Sequence, residues 1–134
     1  MTTYYSPAET VERTGFSLDT LRYYEKAGLL LDAPHRASSG HRRFSDDDLA
    51  WLGTLACLRD TGMPIAEMRR YAELCREGDH TIPERIALLE THNSRVEDHI
   101  GDLLSKKARV EHKLDWYREY AQGNAIAGGG RLGK

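Results

Sequence analysis

Arg22 and Tyr23 are the first candidates for chemistry in this 134-residue chain. They lie on a short predicted helix, and a guanidinium and a phenol on its exposed side can reach phosphates or base edges in a DNA major groove. Ser17 and Thr20 stand at the start of the same helix. The formal net charge of −2 argues against bulk attraction to nucleic acid. Any such binding must therefore come from the local distribution of charge.

Positive charge is concentrated in residues 13–43, which contain six cations and three acids. Within this region, residues 32–44 are rich in Pro, Ser, Gly and basic residues, with a turn signal at Ser38-Ser39-Gly40. The pattern predicts a hairpin of two short arms. Its tip and flanks would present three arginines to a nucleic-acid backbone, and the DNA-contacting set there is Arg36, Gly40, Arg42 and Arg43.

The two cysteines, Cys57 and Cys75, form no C-x-x-C motif, which indicates a reducing compartment such as the cytoplasm. Cys75 is expected in the core. Cys57 shares a predicted helix face with small residues, Ala50, Gly53 and Thr54, which could accept a helix from a second copy of the chain. Its alternative role is that of a buried structural cysteine.

No metal site is expected. His92 and His99 lie on one face of a long predicted helix, but without a third ligand they are read as part of a solvated face.

The elements that position the basic residues have clear start and stop signals. Ser6, with Pro7 and Glu9 behind it, begins a first helix that Gly15 ends. Ser17 caps a second helix from Leu18 to about Lys26, and Gly28 ends it. Two short helices joined by a tight turn make a helix-turn-helix, and a hairpin directly after it is a wing.

Two linking helices follow the wing. Ser45 and the acids after it begin a third helix that runs to about Asp60, with leucines available for a core. Pro64 opens a fourth helix that ends at Gly78. Apart from the wing, the whole chain is expected to be helical.

A long helix from Thr81 to Ala121 carries apolar residues at alternating spacings of three and four, the pattern of a coiled-coil strand. Thr81 and Glu84 are predicted to form its capping box. At this length the helix needs a partner, most simply a second copy of itself. Asn93 and Lys107 interrupt the stripe, and they either restrict register or mark a local break with the lysine reaching the surface. The predicted dimer contacts are Ile86, Leu89, Val96, Ile100, Leu103, Val110, Leu114 and Tyr117.

The run Leu21-Arg22-Tyr23-Tyr24-Glu25, with Gly28-Leu29-Leu30, resembles the signature of the MerR family of transcription regulators. Arg36 followed by Gly40-His41-Arg42-Arg43-Phe44 is similar to that family's second signature, R…G-Y-R-x-Y. His41 and Phe44 depart from it, because tyrosine is usual at both places. Leu58-Arg59 with Gly62-Met63-Pro64 matches the family's next helix pair.

This resemblance implies that Ser17 and Thr20 join Arg22 and Tyr23 in contacting DNA. It also implies an antiparallel coiled-coil homodimer on a pseudo-palindromic promoter. Such a dimer would distort the spacer DNA so that RNA polymerase can engage. The setting of Cys57, Leu55-Ala56-Cys57-Leu58-Arg59, looks like the branch that responds to aldehydes or thiol stress (the NmlR/AdhR-like group). There a single cysteine is thought to be modified by an electrophile. The C-terminal end of a helix disfavours a thiolate, so Arg59 or a cation from the other subunit would have to compensate.

The sequence thus predicts a mainly α protein. Residues 1–78 form a winged helix-turn-helix DNA-binding domain with two linking helices, residues 79–121 a coiled-coil dimerisation helix, and residues 122–134 a flexible tail. No apolar run approaches 18 residues and no secretory signal precedes the domain, so a cytoplasmic protein without a membrane span is expected. No nucleophile–base pair, cofactor loop or carboxylate pair indicates an enzyme or a cofactor.

Two other functions remain open. The chain could be a regulator of the same type with no inducer, controlled by its own abundance. It could also be a coiled-coil interaction protein whose winged domain has lost DNA binding, with His41 and Phe44 as early signs.

Overall fold

The computed structural model describes residues 3–32, the backbone of residues 35–36, and residues 42–123. A 3₁₀ turn, Asp79–Thr81, precedes the last helix. The predicted mainly α fold class, with a helix-turn-helix at the N-terminus and a long helix after it, is confirmed. The elements in chain order are β1 (Tyr4–Tyr5), α1 (Pro7–Thr14), α2 (Leu18–Lys26), β2 (His35–Arg36), β3 (Arg42–Ser45), α3 (Asp46–Asp60), α4 (Ile65–Glu77) and α5 (Ile82–Ala121).

The helix-turn-helix is specified by local hydrogen bonds. The Ser6 hydroxyl accepts from the Glu9 N–H (3.1 Å), and the Glu9 carboxylate accepts from the Ser6 N–H (3.0 Å). The hydrogen bond from the Ser6 N–H to the charged carboxylate, together with the interaction of that carboxylate with the Ser6 side chain, lowers the pKa of Glu9. Gly15 ends α1 with a φ of 78°, a left-handed conformation that suits glycine. Ser17 caps α2 by accepting from the Thr20 N–H (3.0 Å). The predicted caps of both helices are confirmed.

A three-stranded sheet joins the wing to the N-terminus. The central strand β3 pairs antiparallel with β2, where His35 lies opposite Arg43, and with β1, where Tyr5 lies opposite Phe44. The antiparallel wing is thereby confirmed, whereas its predicted turn at Ser38-Ser39-Gly40 lies outside the described residues.

Strand β1 corrects the expectation that everything except the wing is helical. Two residues carry no periodic signal, so their extended conformation is set by pairing with β3. The Tyr5 hydroxyl adds a hydrogen bond to Asp46 Oδ1 (2.8 Å), and this bond raises the pKa of Tyr5.

The core lies where α2, α3, α4 and the sheet meet. Leu29, Leu52 and Leu55 are fully buried, and each contributes about 2 kcal/mol by leaving water. Phe16 packs edge-on against Tyr24 with ring centroids 5.4 Å apart. This core supports α2 from one side only, which leaves its other side exposed.

The chain divides into two compact units, residues 1–93 and residues 94–134. The first unit includes the start of α5, because Leu88 and Leu89 pack against the core and His92 is buried. The predicted domain boundary after residue 78 separates a DNA-binding segment from a dimerisation segment. This boundary stays a prediction.

Two predictions at the start of α5 are wrong. The Thr81 hydroxyl does not cap the helix. It is fully buried and lies 2.6 Å from the Leu74 carbonyl and 2.8 Å from the Gly78 carbonyl, and it accepts a hydrogen bond from Arg85. The Glu84 carboxylate instead accepts from Arg70 (3.2 Å). The polar groups at the end of α4 therefore outcompete the local capping pattern.

His92 is the second correction, since it is 7% exposed rather than solvated. Its Nε2 lies 2.8 Å from the Thr61 hydroxyl oxygen. That hydroxyl also lies 2.7 Å from the Cys57 carbonyl oxygen, to which it can donate. His92 shares a helix face with Leu88 and Leu89, which carries its ring onto the core. It thus ties α5 to the end of α3.

In the second unit, α5 exposes much of its apolar surface. Lys107 forms an ion pair with Glu111 (3.2 Å) along the helix, and Trp116 stacks on Tyr120 with centroids 5.4 Å apart. Within the described ranges, no helix is long and apolar enough to cross a membrane.

Candidate nucleic-acid interface

One face of α2 presents four exposed side chains in a single row, here called the α2 ridge: Asp19, Arg22, Tyr23 and Lys26. Their spacing of three and four residues places them on the same side of a helix. The opposite side of α2 carries Leu21 and Tyr24, which are 4% and 3% exposed in the core. The ridge is therefore held outward by burial of the other face.

The ridge confirms that Arg22 and Tyr23 share an exposed face, with Tyr23 53% exposed. It also contains two residues that the sequence analysis did not select, Asp19 and Lys26. Their spacing from Arg22 and Tyr23 was the signal that could have found them. Among the described residues, no hydrogen bond or ion pair engages the side chain of Asp19, Arg22 or Lys26.

Ser17 and Thr20 have a different setting. The Ser17 hydroxyl caps α2 and lies 2.9 Å from the Thr20 hydroxyl, which is half-buried. Both side chains organise the first turn of α2, next to the ridge rather than on it.

The base of the wing is fastened to neighbouring elements. The Arg42 guanidinium forms an ion pair with Glu25 of α2. The Arg43 guanidinium lies over the Tyr4 ring, 4.3 Å from its centroid. These contacts join the wing to α2 and to β1. The Arg36 side chain and Gly40 lie outside the described residues, so their predicted roles stay predictions.

A carbonyl clamp, formed by Trp51, Arg69 and Arg76, holds the end of α2. Arg69 Nε donates to the Ala27 carbonyl (2.8 Å), and Trp51 Nε1 donates to the Leu29 carbonyl (2.7 Å). The Arg76 guanidinium donates to the carbonyls of Gly28 and Leu30.

Four consecutive carbonyls of the segment directly after α2, residues 27–30, thus receive donors from α3 and α4. The sequence carries no periodic signal of this clamp, because its donors and acceptors lie more than twenty residues apart in the chain.

A groove of about 330 Å³ lies between α2 and the turn that joins α3 to α4. The Arg59 guanidinium in its wall is hydrogen-bonded to Asp60 (2.9 Å) and lies 4.9 Å from the centroid of the Phe16 ring. The bond to Asp60 raises the pKa of Arg59, so its charge is permanent. The groove is lined by Thr20, Tyr23, Tyr24, Arg59, Met63, Ile65 and Met68.

Cys57 is exposed on α3. Ala50, Gly53 and Thr54 on the same helix face are exposed as well, and a Cβ built on Gly53 meets nothing within 4 Å. The opposite face of α3 carries the buried leucines. The alternative of a buried structural cysteine therefore does not hold for the described chain. Cys75 is half-buried near Tyr71, and burial of that phenol, together with Cys75, raises the pKa of Tyr71.

Most of the predicted dimer residues are exposed. Val110 is 61%, Leu103 52% and Ile100 51% exposed, and Ile86, Leu114 and Tyr117 are also exposed. Leu89 and Val96 are half-buried, and Leu89 packs on the core of the first unit. Large aliphatic side chains at regular spacing on one helix face indicate a surface that a partner covers.

Comparison with known proteins agrees with this architecture. A family model described as MerR HTH family regulatory protein matches residues 5–75. An uncharacterized HTH-type transcriptional regulator of Haemophilus influenzae is 41% identical over 115 residues, which are 86% of this chain and 84% of that relative. The regulator AdhR of Bacillus subtilis is 33% identical over 89 residues, 66% of this chain and 63% of AdhR.

Two solved structures are similar over most of the chain. The crystal structure of HiNmlR, a MerR family regulator lacking the sensor domain and bound to promoter DNA, has a TM-score of 0.80 and 41% identity. It covers 92% of this chain and 96% of its own. A Listeria monocytogenes protein assigned to the same family has a TM-score of 0.83 and 32% identity, with 90% of each chain covered. These relatives are transcription regulators rather than enzymes, and this chain belongs to the MerR family of helix-turn-helix transcription regulators.

Proposed function

We propose that this regulator binds double-stranded promoter DNA through the α2 ridge and the wing. The observation that carries this proposal is the ridge itself, where Arg22, Tyr23 and Lys26 project from a helix whose other face is buried. The second helix of a helix-turn-helix lies in the major groove. The similar chain HiNmlR was crystallised on promoter DNA, which supports the same use of the fold here. Arg42 and Arg43 on β3, and Arg36 opposite Arg42 on β2, would contact the backbone.

The proposal includes a homodimer formed through the exposed stripe of α5. Two copies in antiparallel arrangement would bury Ile100, Leu103 and Val110 and fix the separation of two winged domains. A pseudo-palindromic operator would present one half-site to each domain. The dimer would act by distorting the spacer between promoter elements, so that RNA polymerase is engaged through the DNA. On a promoter whose spacer has been shortened, the protein would no longer activate.

Fluorescence anisotropy tests DNA binding on a labelled duplex from upstream of the chain's own gene, at several salt concentrations. Each neutralised phosphate adds about 0.9 to the magnitude of the slope of log affinity against log salt, so one contact from each of Arg22, Lys26, Arg36, Arg42 and Arg43 predicts a slope near −9 for the dimer. The matched variant Arg22→Ala should reduce the magnitude of the slope by about 1.8, because both protomers lose a cation. A slope near zero would reject DNA binding and favour a coiled-coil interaction protein.

Cys57 is proposed as the point of signal entry. An aldehyde adds to its thiol: a carbon–sulfur bond forms, the carbonyl π bond breaks, and the thiol proton ends on the carbonyl oxygen as a hemithioacetal. Cys57 is exposed in the single chain, so its own subunit leaves the thiol open to this step. Arg59 is engaged by Asp60 and the Phe16 ring. A cation that assists the thiol is therefore expected from the other subunit, on whose α5 the small-residue face of α3 would pack.

The variants Cys57→Ser and Cys75→Ser test this proposal in transcription from the target promoter with and without formaldehyde. The response should disappear in Cys57→Ser and persist in Cys75→Ser, while DNA binding without aldehyde stays unchanged in both. A response that survives in Cys57→Ser leaves a regulator with no inducer at this thiol. On this proposal the protein works without catalysis or a cofactor, in the cytoplasm where its promoter lies.

A further inference from the structure

Asp19 is the unexpected member of the α2 ridge. It lies among Arg22, Tyr23 and Lys26, is exposed, and has no hydrogen-bond or ion-pair partner within the described residues. Two phosphate strands flank a major groove, so a carboxylate that enters it is repelled by the backbone. An acid on a DNA-contacting face therefore weakens binding unless a base supplies a hydrogen-bond donor.

The position of Asp19 in α2 decides what it can reach. It is the second residue of a nine-residue helix. In a helix-turn-helix, the N-terminal residues of the recognition helix contact base edges, while residues further along approach the backbone. Asp19 is thus in the turn that enters the groove, and Lys26 is at the end that leaves it.

The hydrogen-bonding groups on the base edges limit which base the Asp19 carboxylate can recognise. An ionised carboxylate only accepts hydrogen bonds. In the major groove guanine offers two acceptors, thymine an acceptor and a methyl group, and adenine a donor beside an acceptor. Cytosine offers its N4 amino group, which carboxylates accept from.

We infer that Asp19 is a specificity-determining residue that selects cytosine at one position of each operator half-site and rejects guanine there. This inference rests on the proposed DNA binding and adds the base that the ridge reads. The ridge then combines one acid that discriminates with two cations that supply affinity.

A simpler explanation is that Asp19 only stabilises the N-terminal end of α2, where the helix dipole favours an acid. The chain contains a matched control for that effect. Asp47 is the second residue of α3, is exposed and lacks a partner within the described residues, yet it is not on the α2 ridge. Replacing either acid with alanine removes the same dipole interaction, but only Asp19→Ala alters the ridge.

The test is selection from a duplex library with a randomised central segment, using the full chain and the variants Asp19→Ala, Asp19→Asn and Asp47→Ala. The wild type and Asp47→Ala should enrich a two-fold motif with cytosine at one position of each half. Asp19→Ala should retain the motif but lose that preference, with discrimination against guanine reduced about 5- to 10-fold. Asp19→Asn should shift the preference to adenine, because an asparagine amide pairs with adenine N6 and N7.

Circular dichroism of each variant verifies folding. An unchanged base preference in a folded Asp19→Ala variant overturns the inference while leaving the proposed DNA binding intact. Failure of the wild type to enrich any duplex sequence rejects both proposals together.

Discussion

Replacing Arg76 with alanine is expected to weaken DNA binding without removing any contact to DNA. Arg76 belongs to α4, yet its guanidinium donates to the carbonyls of Gly28 and Leu30 just beyond α2. Those carbonyls follow α2 and begin the segment that leads to the wing. Without Arg76, two of the four clamped carbonyls must be solvated, and the end of α2 becomes mobile.

The size of the effect follows from the exposure of Arg76. Hydrogen bonds to a charged group contribute about 1.5–3 kcal/mol. Because Arg76 is exposed, water screens and replaces part of this contribution. A loss of about 1–2 kcal/mol in the free energy of unfolding is therefore expected, given these general magnitudes. When DNA binds, the end of α2 must be ordered again at a similar cost in free energy. This cost corresponds to about a tenfold loss of DNA affinity.

Arg70→Ala is the matched control. Arg70 lies on the same helix and is also exposed, but it pairs with Glu73, Glu77 and Glu84 instead of the α2 carbonyls. It should change DNA affinity little, since exposed ion pairs contribute about 0–1 kcal/mol to stability. Arg76→Lys should recover only part of the affinity, because an ammonium lacks the fork that reaches two carbonyls.

The salt dependence of binding separates a clamp from a phosphate contact. Arg76→Ala should lower affinity at every salt concentration and leave the slope of log affinity against log salt unchanged. Arg22→Ala should reduce the magnitude of that slope by about 1.8 for a dimer. If Arg76→Ala also flattens the slope, Arg76 contacts phosphate and its assignment to the clamp is wrong.

Three further predictions concern the rest of the fold. Leu103→Asp should convert the dimer to monomers in sedimentation equilibrium, whereas Ser105→Asp, on another face of α5, should leave it intact; a dimeric Leu103→Asp would refute the stripe as the interface. Thr61→Val should lower the free energy of unfolding by about 1–2 kcal/mol in urea titrations, because it loses the hydrogen bond to His92; no change would show that this bond contributes nothing. Glu9→Gln should be less stable than the wild type at neutral pH. Since the pKa of Glu9 is lowered below 4.5, that difference should shrink as the pH falls through the lowered value, and a difference independent of pH would contradict the ionised capping box.

Much of the first unit could be predicted from the sequence, because its signals are local. A cap and a glycine a few residues apart specify the ends of α1 and α2, and turn residues with basic neighbours specify the wing. The same locality explains the failures. Thr81 and Glu84 have the spacing of a capping box, but the buried Thr81 hydroxyl donates to the Leu74 carbonyl of α4 instead. A periodic position suggested a solvated His92, yet the ring is covered because the start of α5 packs on the core.

In the candidate DNA-binding site, too, local sequence signals predicted some features and long-range contacts decided the others. Residue type and spacing alone selected Arg22 and Tyr23, since helical periodicity places both on one face of any such helix. The tertiary structure confirms that this face is outward, because Leu21 and Tyr24 on the other face are buried by other elements. The structure also places Asp19 and Lys26 on this exposed α2 ridge. The clamp on α2 likewise joins residues distant in the chain, and only the folded core brings their donors and acceptors within hydrogen-bond distance.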